Sequence, residues 1–494
     1  MEKLDATSKR VLDTSQKTLD PSQRTLDPSF HKALETAHQQ ALAHLETLDK
    51  TSVAATADIS QLRAALTKTL SREGLPADQV ISELARDVSG GLLGTAGGRF
   101  FGWVIGGVLP AALAADWLTS AWQQNAALYA CSPAAAVVEE TVGVWLKELL
   151  RLPTSASFAL VTGCQMAHVT CLAAARHSLL AKLGWDVETQ GLSGAPAIRI
   201  LTSSERHASF ERAVRLIGLG TSQIKVLSVD AEGQIIPAAL EAELNKEPTS
   251  PTLVLLQAGD INIGAYDSFE TVVPIAKRYG AWVHVDGAFG LWAASSERLQ
   301  HLLNGIEAAD SWATDGHKWL NVPFDCGFAF VAHPEAHRAS LSIQASYLTH
   351  DDNAREQMDW NPEWSRRARC FPVYAALRQL GRDGVAKVIE QCCSCAHDLV
   401  VGIGELQGAE ALWIPTINQG LVRFLDRRPG ATEVDHDRRT DEVIAKILAS
   451  GEAFFGGTTW RGRRAMRVSV CNWQTSEKDV ARTVAAVAKV LREL

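Results

Sequence analysis

The chain has 494 residues, too many for one ordinary core, so two or three domains are expected within one subunit. Hydrophobic residues make up 46% and charged residues 21%, the balance of a globular protein rather than a disordered or fibrous one. A formal net charge of -8 offers nothing to nucleic acid or to an anionic membrane, because both need a basic surface.

The opening MEKLDATSKRVLDTSQK has no apolar core and does not read as a secretory signal. KTLDPSQ and RTLDPSF follow as near-copies, so residues 1–30 are expected to form a flexible extension or a partner-binding arm. Residues 31–120 read as a helical segment. Leu34, Ala37, Ala41, Leu45 and Leu48 recur at helical spacing between residue 30 and about 70, and a second helix is expected over 77–88. The most apolar stretch, FFGWVIGGVLPAALAA at 100–115, holds three glycines and a proline. It is shorter than the ~20 residues a bilayer span needs, so it is read as buried loop and helix in a cytoplasmic protein.

From about residue 121 helices alternate with short β-rich runs. Helices are expected over 134–150 and 166–183, and strands over 158–161, 197–202, 224–228, 252–257, 282–286, 311–314 and 327–331. Seven short strands separated by helices imply βαβ units and a mostly parallel central sheet flanked by helices, an α/β fold. Residues 121–375 are therefore assigned to a large domain. Residues 376–494 read as a smaller α/β domain that includes a strand at 465–470 and a closing helix from 477. Nine thinly spread cysteines suggest reduced thiols, and the cluster EQCCSCAH (Cys392, Cys393, Cys395) reads as a helix burying small side chains rather than a metal site.

The chemistry concentrates in WVHVDGAFG (282–290) and SWATDGHKWLNVPFDCG (311–327). The strand WVHV ends on Asp286, and in α/β sheets ligands bind beyond the carboxyl ends of strands. The strand SWAT is followed by His317 and Lys318 in a loop. A lysine that is partly buried, or near another positive group, becomes an imine former. An aspartate at one strand end and a lysine 32 residues on, at another, suit pyridoxal 5'-phosphate (PLP). The lysine holds the cofactor as a Schiff base, and the aspartate keeps the pyridine nitrogen protonated. His317 could contact the phosphate or the departing group.

HVDGAFG together with DGHKWLNVPFDCG resembles the group II PLP-dependent amino-acid decarboxylases, which include the aromatic amino acid, glutamate and diaminobutyrate enzymes. The likeness runs from about residue 93 to the end. It implies the fold type I of PLP-dependent transferases, a homodimer, and an amino-acid substrate whose identity stays open. It implies that His207, in SSERHASFERAV, stacks on the cofactor ring. It implies a phosphate cradle at Gly163, Cys164 and Gln165 with Met166, where backbone N–H groups at a helix N-terminus carry more weight than these side chains. Asn262 and Ala288 fall where the family contacts the cofactor. Gly259 and Gly264 suit a close backbone approach, while Asp267 reads as a turn residue. Phe101 and Trp103, with Phe100, are candidate walls of the substrate pocket, and they mildly favour an aromatic or apolar side chain. Arg467 matches an arginine that grips the substrate carboxylate in the wider superfamily. No metal site is expected.

One departure bears on the reaction. Decarboxylases of this family often place a tyrosine on a loop after the cofactor lysine to protonate the substrate carbon. Here the centre of that loop reads REQMDWNPEW, with Tyr347 too early and Tyr374 too late. Decarboxylation to an amine leads. An oxidative aldehyde synthase, an aminotransferase, an aldolase and a catalytically silent scaffold remain as alternatives.

Overall fold

The computed structural model describes residues 26–343 and 354–494. The N-terminal repeats up to residue 25 and Tyr347 lie outside the described residues. The chain divides into two compact units, Met1–Thr47 with Ala55–Leu92, and Leu48–Ala54 with Leu93–Leu494.

In the first unit α1 (Pro28–Thr47) packs on α3 (Ala77–Val88), with α2 (Ile59–Leu66) between them in sequence. The helix expected to run from residue 30 to about 70 is interrupted. Residues 48–54 are drawn into the second unit, where the Val53 N–H donates to the Gly451 carbonyl (2.9 Å). α2 then starts afresh on a capping box. Gln61 N donates to Asp58 Oδ1 (2.8 Å) and Asp58 N to Gln61 Oε1 (2.9 Å).

The second unit opens with α4 (Pro110–Trp122) and α5 (Pro133–Leu149), each begun by a proline in its first turn, where the missing N–H costs nothing. The order continues β1 (Ser157–Val161), α6 (Cys164–Ala181), α7 (Val187–Gln190), β2 (Arg199–Ser203), α8 (Ala208–Leu216), β3 (Ile224–Leu227), α9 (Pro237–Lys246), β4 (Thr252–Gln257), α10 (Phe269–Arg278), β5 (Trp282–Asp286), β6 (Ser311–Asp315) and β7 (Gly327–Val331). These strands form one sheet in the order β1-β7-β6-β5-β4-β2-β3, parallel except for β7, which runs antiparallel to both its neighbours. All seven strands lie where the β-rich runs were expected. β4 to β7 are buried along their whole length, as strands covered on both faces must be.

After α11 (Pro334–Leu341), the helix α12 (Cys370–Gly404) leads into β8 (Ala409–Trp413), β9 (Gln419–Phe424), α13 (Glu433–Ser450), β10 (Gly456–Trp460), β11 (Arg463–Ser469) and α14 (Glu477–Glu493). The last four strands form a second, antiparallel sheet in the order β10-β11-β9-β8. α12 departs from helical geometry at Gly381, whose φ of 63° a glycine adopts without strain. Cys392, Cys393 and Cys395 are buried on this helix, as the bland reading of EQCCSCAH expected, and all nine cysteines are free. Among the described residues no helix is long and apolar enough to cross a membrane.

One fully buried ion pair ties the segment after residue 354 to the sheet. Arg366 Nη1 lies 2.9 Å from Glu139 Oε2 on α5 and donates to the Ala126 carbonyl (2.7 Å), while Nη2 donates to the Leu160 carbonyl of β1 (2.6 Å). Removing one partner strands a buried charge. Glu139→Ala is therefore expected to lower the unfolding free energy by about 3–5 kcal/mol, read as a fall in the midpoint of chemical denaturation.

Candidate active site

Asp286 and Asp315 stand at the carboxyl ends of the adjacent parallel strands β5 and β6. Both carboxylates are buried, so each must be met by cations or N–H groups. α6 supplies several of these. Cys164, its first residue, donates its N–H to Asp315 Oδ1 (2.5 Å), and its Sγ lies 3.8 Å from Asp286 Oδ1. One turn on, His168 Nε2 lies 3.4 Å from Asp286 Oδ2. The Ala288 N–H closes a turn onto Asp286 Oδ1 (3.1 Å).

Lys318 Nζ pairs with Asp315 Oδ2 at 3.0 Å, and His317 Nε2 lies 3.5 Å from Asp315 Oδ1. The loop carrying this lysine is held from behind. Asn321, in the left-handed region (φ 55°), donates its N–H to the Lys318 carbonyl (3.1 Å). Its Oδ1 accepts from Gly107 N (2.6 Å) and Trp473 N (3.1 Å), and its Nδ2 donates to the Trp319 and Cys471 carbonyls. Gly106 N donates to the His317 carbonyl (3.2 Å), and a Cβ on Gly106 would overlap the Lys318 carbonyl. The Cys326 N–H donates to His317 Nδ1 (3.2 Å), and the His317 ring stacks on Phe324 (4.4 Å).

The charges set the protonation states. Burial alone would raise the Asp286 carboxyl, but His168 beside it, with His207 and Lys318, outweighs burial and holds the carboxyl below the usual carboxylate range. Burial alone would lower the Lys318 ammonium; Asp315 reverses that and raises it. His207 opens α8 as its N-cap, accepting the Ser209 N–H at Nδ1 (3.2 Å), which leaves Nε2 to carry the proton of the neutral ring. Burial lowers its pKa, with Lys318, His168 and Arg467 acting in the same sense against Asp286.

The remaining expected residues are placed less uniformly. Gly163 precedes α6 in an extended conformation, and a Cβ on Gly327 would run into the Gly163 backbone, so β7 and the start of α6 approach closely. The cradle differs from expectation in one respect: the Cys164 N–H is already taken by Asp315. Asn262 turns to Thr458, whose hydroxyl donates to Asn262 Oδ1 (2.9 Å). Phe101 is fully buried with its ring on Phe455 (5.2 Å), so it presents no surface to a ligand, whereas Trp103 is 52% exposed. Arg467 Nη1 donates to the Ile261 carbonyl (2.9 Å). Asp267 is buried and accepts the Ile235 and Gln257 N–H groups (2.7 and 2.8 Å), a structural rather than a turn-surface role.

These features meet in a known family. The chain matches the family model for "Pyridoxal-dependent decarboxylase conserved domain" over residues 60–425. It belongs to the pyridoxal-dependent decarboxylases. It is 24% identical to an aromatic-L-amino-acid decarboxylase of Bacillus atrophaeus over 91% of this chain and 93% of the relative. It is 28% identical to an L-2,4-diaminobutyrate decarboxylase of Rhizobium meliloti over 78% and 76%. The fold matches that of an Oryza sativa TDC solved with PLP and tryptamine, at a TM-score of 0.88 and 23% identity, covering 95% of this chain and 99% of that one. The fold is thus the type I fold of PLP-dependent enzymes, and the chain is a PLP-dependent carboxy-lyase acting on an amino acid, as the motifs implied.

The residues present fit the cofactor of this family of decarboxylases. Buried carboxylates stand at the ends of β5 and β6, the second paired with an amine. At the start of α6, Gln165 Nε2 is buried without a hydrogen-bond partner, a donor to which an anion at the helix N-terminus would supply the acceptor. A metal fits less well. Cys164 Sγ, His168 Nε2 and an Asp286 oxygen lie within 4.8 Å of one another, but burial and then the two aspartates push the Cys164 thiol well up, against the thiolate a metal needs.

Reading the motifs missed Asp315 and His168. Asp315 carried a signal, an acid three residues before the lysine in DGHKW. Because Asp315 raises Lys318, Asp315→Asn is expected to leave more unprotonated amine at neutral pH. Uptake of PLP as the imine, followed by its absorbance, then becomes severalfold faster at pH 7 and its pH profile moves to lower pH. An unchanged profile counts against the ion pair as the controlling interaction.

Proposed function

We propose that the chain converts an L-amino acid with an aromatic or apolar side chain into its amine and CO2, with Lys318 holding PLP, Asp286 facing the ring nitrogen and His207 lying over the ring. The observation that carries this reading is the juxtaposition of an ionised Asp286 and a paired Lys318 at two adjacent strand ends. PLP, when bound, accepts the electron pair left as the bond between Cα and the carboxylate breaks. The chain's own residues prepare that event. Asp286 remains an anion that can hold a proton on the ring nitrogen. Gly163, Cys164 and Gln165 line the helix terminus that suits the phosphate, with the free Gln165 Nε2 as donor. His317, held by Phe324 and Cys326, stays beside Asp315, and Ala288 fixes the turn after Asp286.

One further observation favours loss of the carboxylate, and another an aromatic side chain. Arg467, the superfamily's carboxylate grip, is engaged by the Ile261 carbonyl, and burial pushes its pKa down to about 10. A carboxylate left without a bidentate cation departs more readily as neutral CO2. At the protein surface, Trp103 and the 62%-exposed Phe324 offer aromatic area, and Phe324 does so against His317 of the lysine loop.

The absent loop tyrosine keeps a second reading, an oxidative aldehyde synthase. Tyr374 does not fill the role, since it stacks on Trp145 and its hydroxyl accepts from Arg378 (3.3 Å). Tyr266 donates to the Gly290 carbonyl and Tyr279 to Asn245. His207, with a proton on Nε2, is the side chain we assign to completing the amine, alone or through water.

We assign residues 121–375 to the cofactor-binding domain and 376–494 to the small domain, a division supported by the two separate sheets. A homodimer is supported by the apolar side chains left exposed on α1 and α3 (Leu34, Leu42, Val80, Leu84) and on α4 (Trp117, Leu118, Trp122). Nine free thiols suit the cytoplasm. The test is to incubate the protein with PLP and a panel of L-amino acids, following CO2, amine, aldehyde and oxygen together. Amine and CO2 in equal amounts, abolished in Lys318→Ala, are expected. Aldehyde with oxygen uptake would establish the second reading, and product that retains the carboxylate would refute both.

A further inference from the structure

Behind Asp286 runs a line of buried polar groups that the assigned chemistry does not use. Trp282 Nε1–H donates to Ser311 Oγ (2.9 Å). Ser311 Oγ lies 2.9 Å from His284 Nδ1, His284 Nε2 lies 2.9 Å from His168 Nδ1, and His168 Nε2 lies 3.4 Å from Asp286 Oδ2. All these residues are buried. Trp282, His284 and Asp286 alternate along β5, so period-two geometry aims all three at one face, and α6 meets that face through His168.

With one proton on each imidazole, the line has one direction that presents an N–H to the carboxylate. Burial, and then His168, push the His284 pKa down to about 3, so its neutral ring carries a single N–H. A ring N–H facing Asp286 Oδ2 puts the His168 proton on Nε2, where Cys164 Sγ also lies at 3.6 Å. His168 Nδ1 must then accept from His284 Nε2–H, and His284 Nδ1 from the Ser311 hydroxyl, whose oxygen already accepts from Trp282. Every donor points toward Asp286. The reverse direction would aim a lone pair of His168 at the anion.

We propose that His168 is a positioning residue for the cofactor. It is locked as the Nε2–H tautomer by His284, Ser311 and Trp282, and it keeps Asp286 ionised and oriented toward the ring nitrogen. A histidine linked in this way cannot rotate or change tautomer without breaking a buried hydrogen bond at each link. The inference rests on the assignment of Asp286 to the ring nitrogen, and the test separates the two.

The apoprotein is titrated with PLP and with the analogue whose ring nitrogen is replaced by carbon, and the ratio of the two affinities is read. A ratio is insensitive to the fraction of protein that is folded. The wild type is expected to prefer PLP. His168→Phe should reduce that preference about tenfold, the scale of one hydrogen bond to a charged group. His168→Asn, whose shorter amide leaves its donor out of reach of Asp286, should do the same. His168→Gln, which returns an N–H donor, should restore most of it. His284→Phe, one link further back, should act in the same direction but less. An equal loss of both ligands in His168→Phe and His168→Asn, or an unchanged ratio beside a wild type that prefers PLP, overturns the positioning role alone. A wild type without preference overturns the Asp286 assignment and the inference together.

Discussion

The site depends on pairing two buried carboxylates, Asp286 and Asp315, at neighbouring strand ends. A buried charge is tolerated only when paired and hydrogen-bonded. Cys164 reaches both, its N–H on Asp315 and its sulfur beside Asp286, and His168 of the same helix faces Asp286 again. The position of α6 against β5 and β6 is therefore an electrostatic requirement as much as a packing one. The close approach of Gly163 and Gly327 is what allows the helix start to come within reach. Asp315 in turn orients Lys318, while Asn321 and Gly106 hold the lysine loop from the other side.

Much of this was legible in the chain. Short apolar runs separated by helical stretches located all seven strands of the large sheet; six are buried along their whole length and leave a plain signal, while the edge strand β3 is largely exposed. Asp286 and Lys318 were readable because each closes or follows such a run. His168 and His284 were not, since the pair that matters is 116 residues apart in sequence and joins only when α6 packs on β5. One trace was present: a histidine inside WVHVD, two residues before the aspartate, is out of place in a strand that should be continuously apolar, and period-two geometry puts it on the carboxylate's face. Phe101 shows the opposite failure. Neighbouring aromatics in RFFGW look alike in sequence, but Phe101 is sealed against Phe455 while Trp103 turns outward at a positive φ of 48°.

The loop after residue 354 illustrates how packing elsewhere constrains the reaction. The Arg355 guanidinium lies over the Phe158 ring (4.0 Å) and the Trp360 ring (4.9 Å), and His337 bridges the Trp360 carbonyl (2.9 Å) to the Ser157 hydroxyl (2.8 Å). Ser157 and Phe158 begin β1, whereas Lys318 and both aspartates gather toward the opposite, carboxyl ends of the parallel strands. The segment REQMDW is thus committed to the far side of the sheet within its own subunit. Two proton sources in the cluster are His207 Nε2–H and the Lys318 ammonium held by Asp315. The first is kept neutral by burial and neighbouring cations, the second kept charged by a carboxylate. In the proposed reaction, bond breaking and reprotonation draw on one connected set of charges, with Asp286 assigned to the cofactor, Asp315 paired with the lysine, and α6 in contact with both carboxylates.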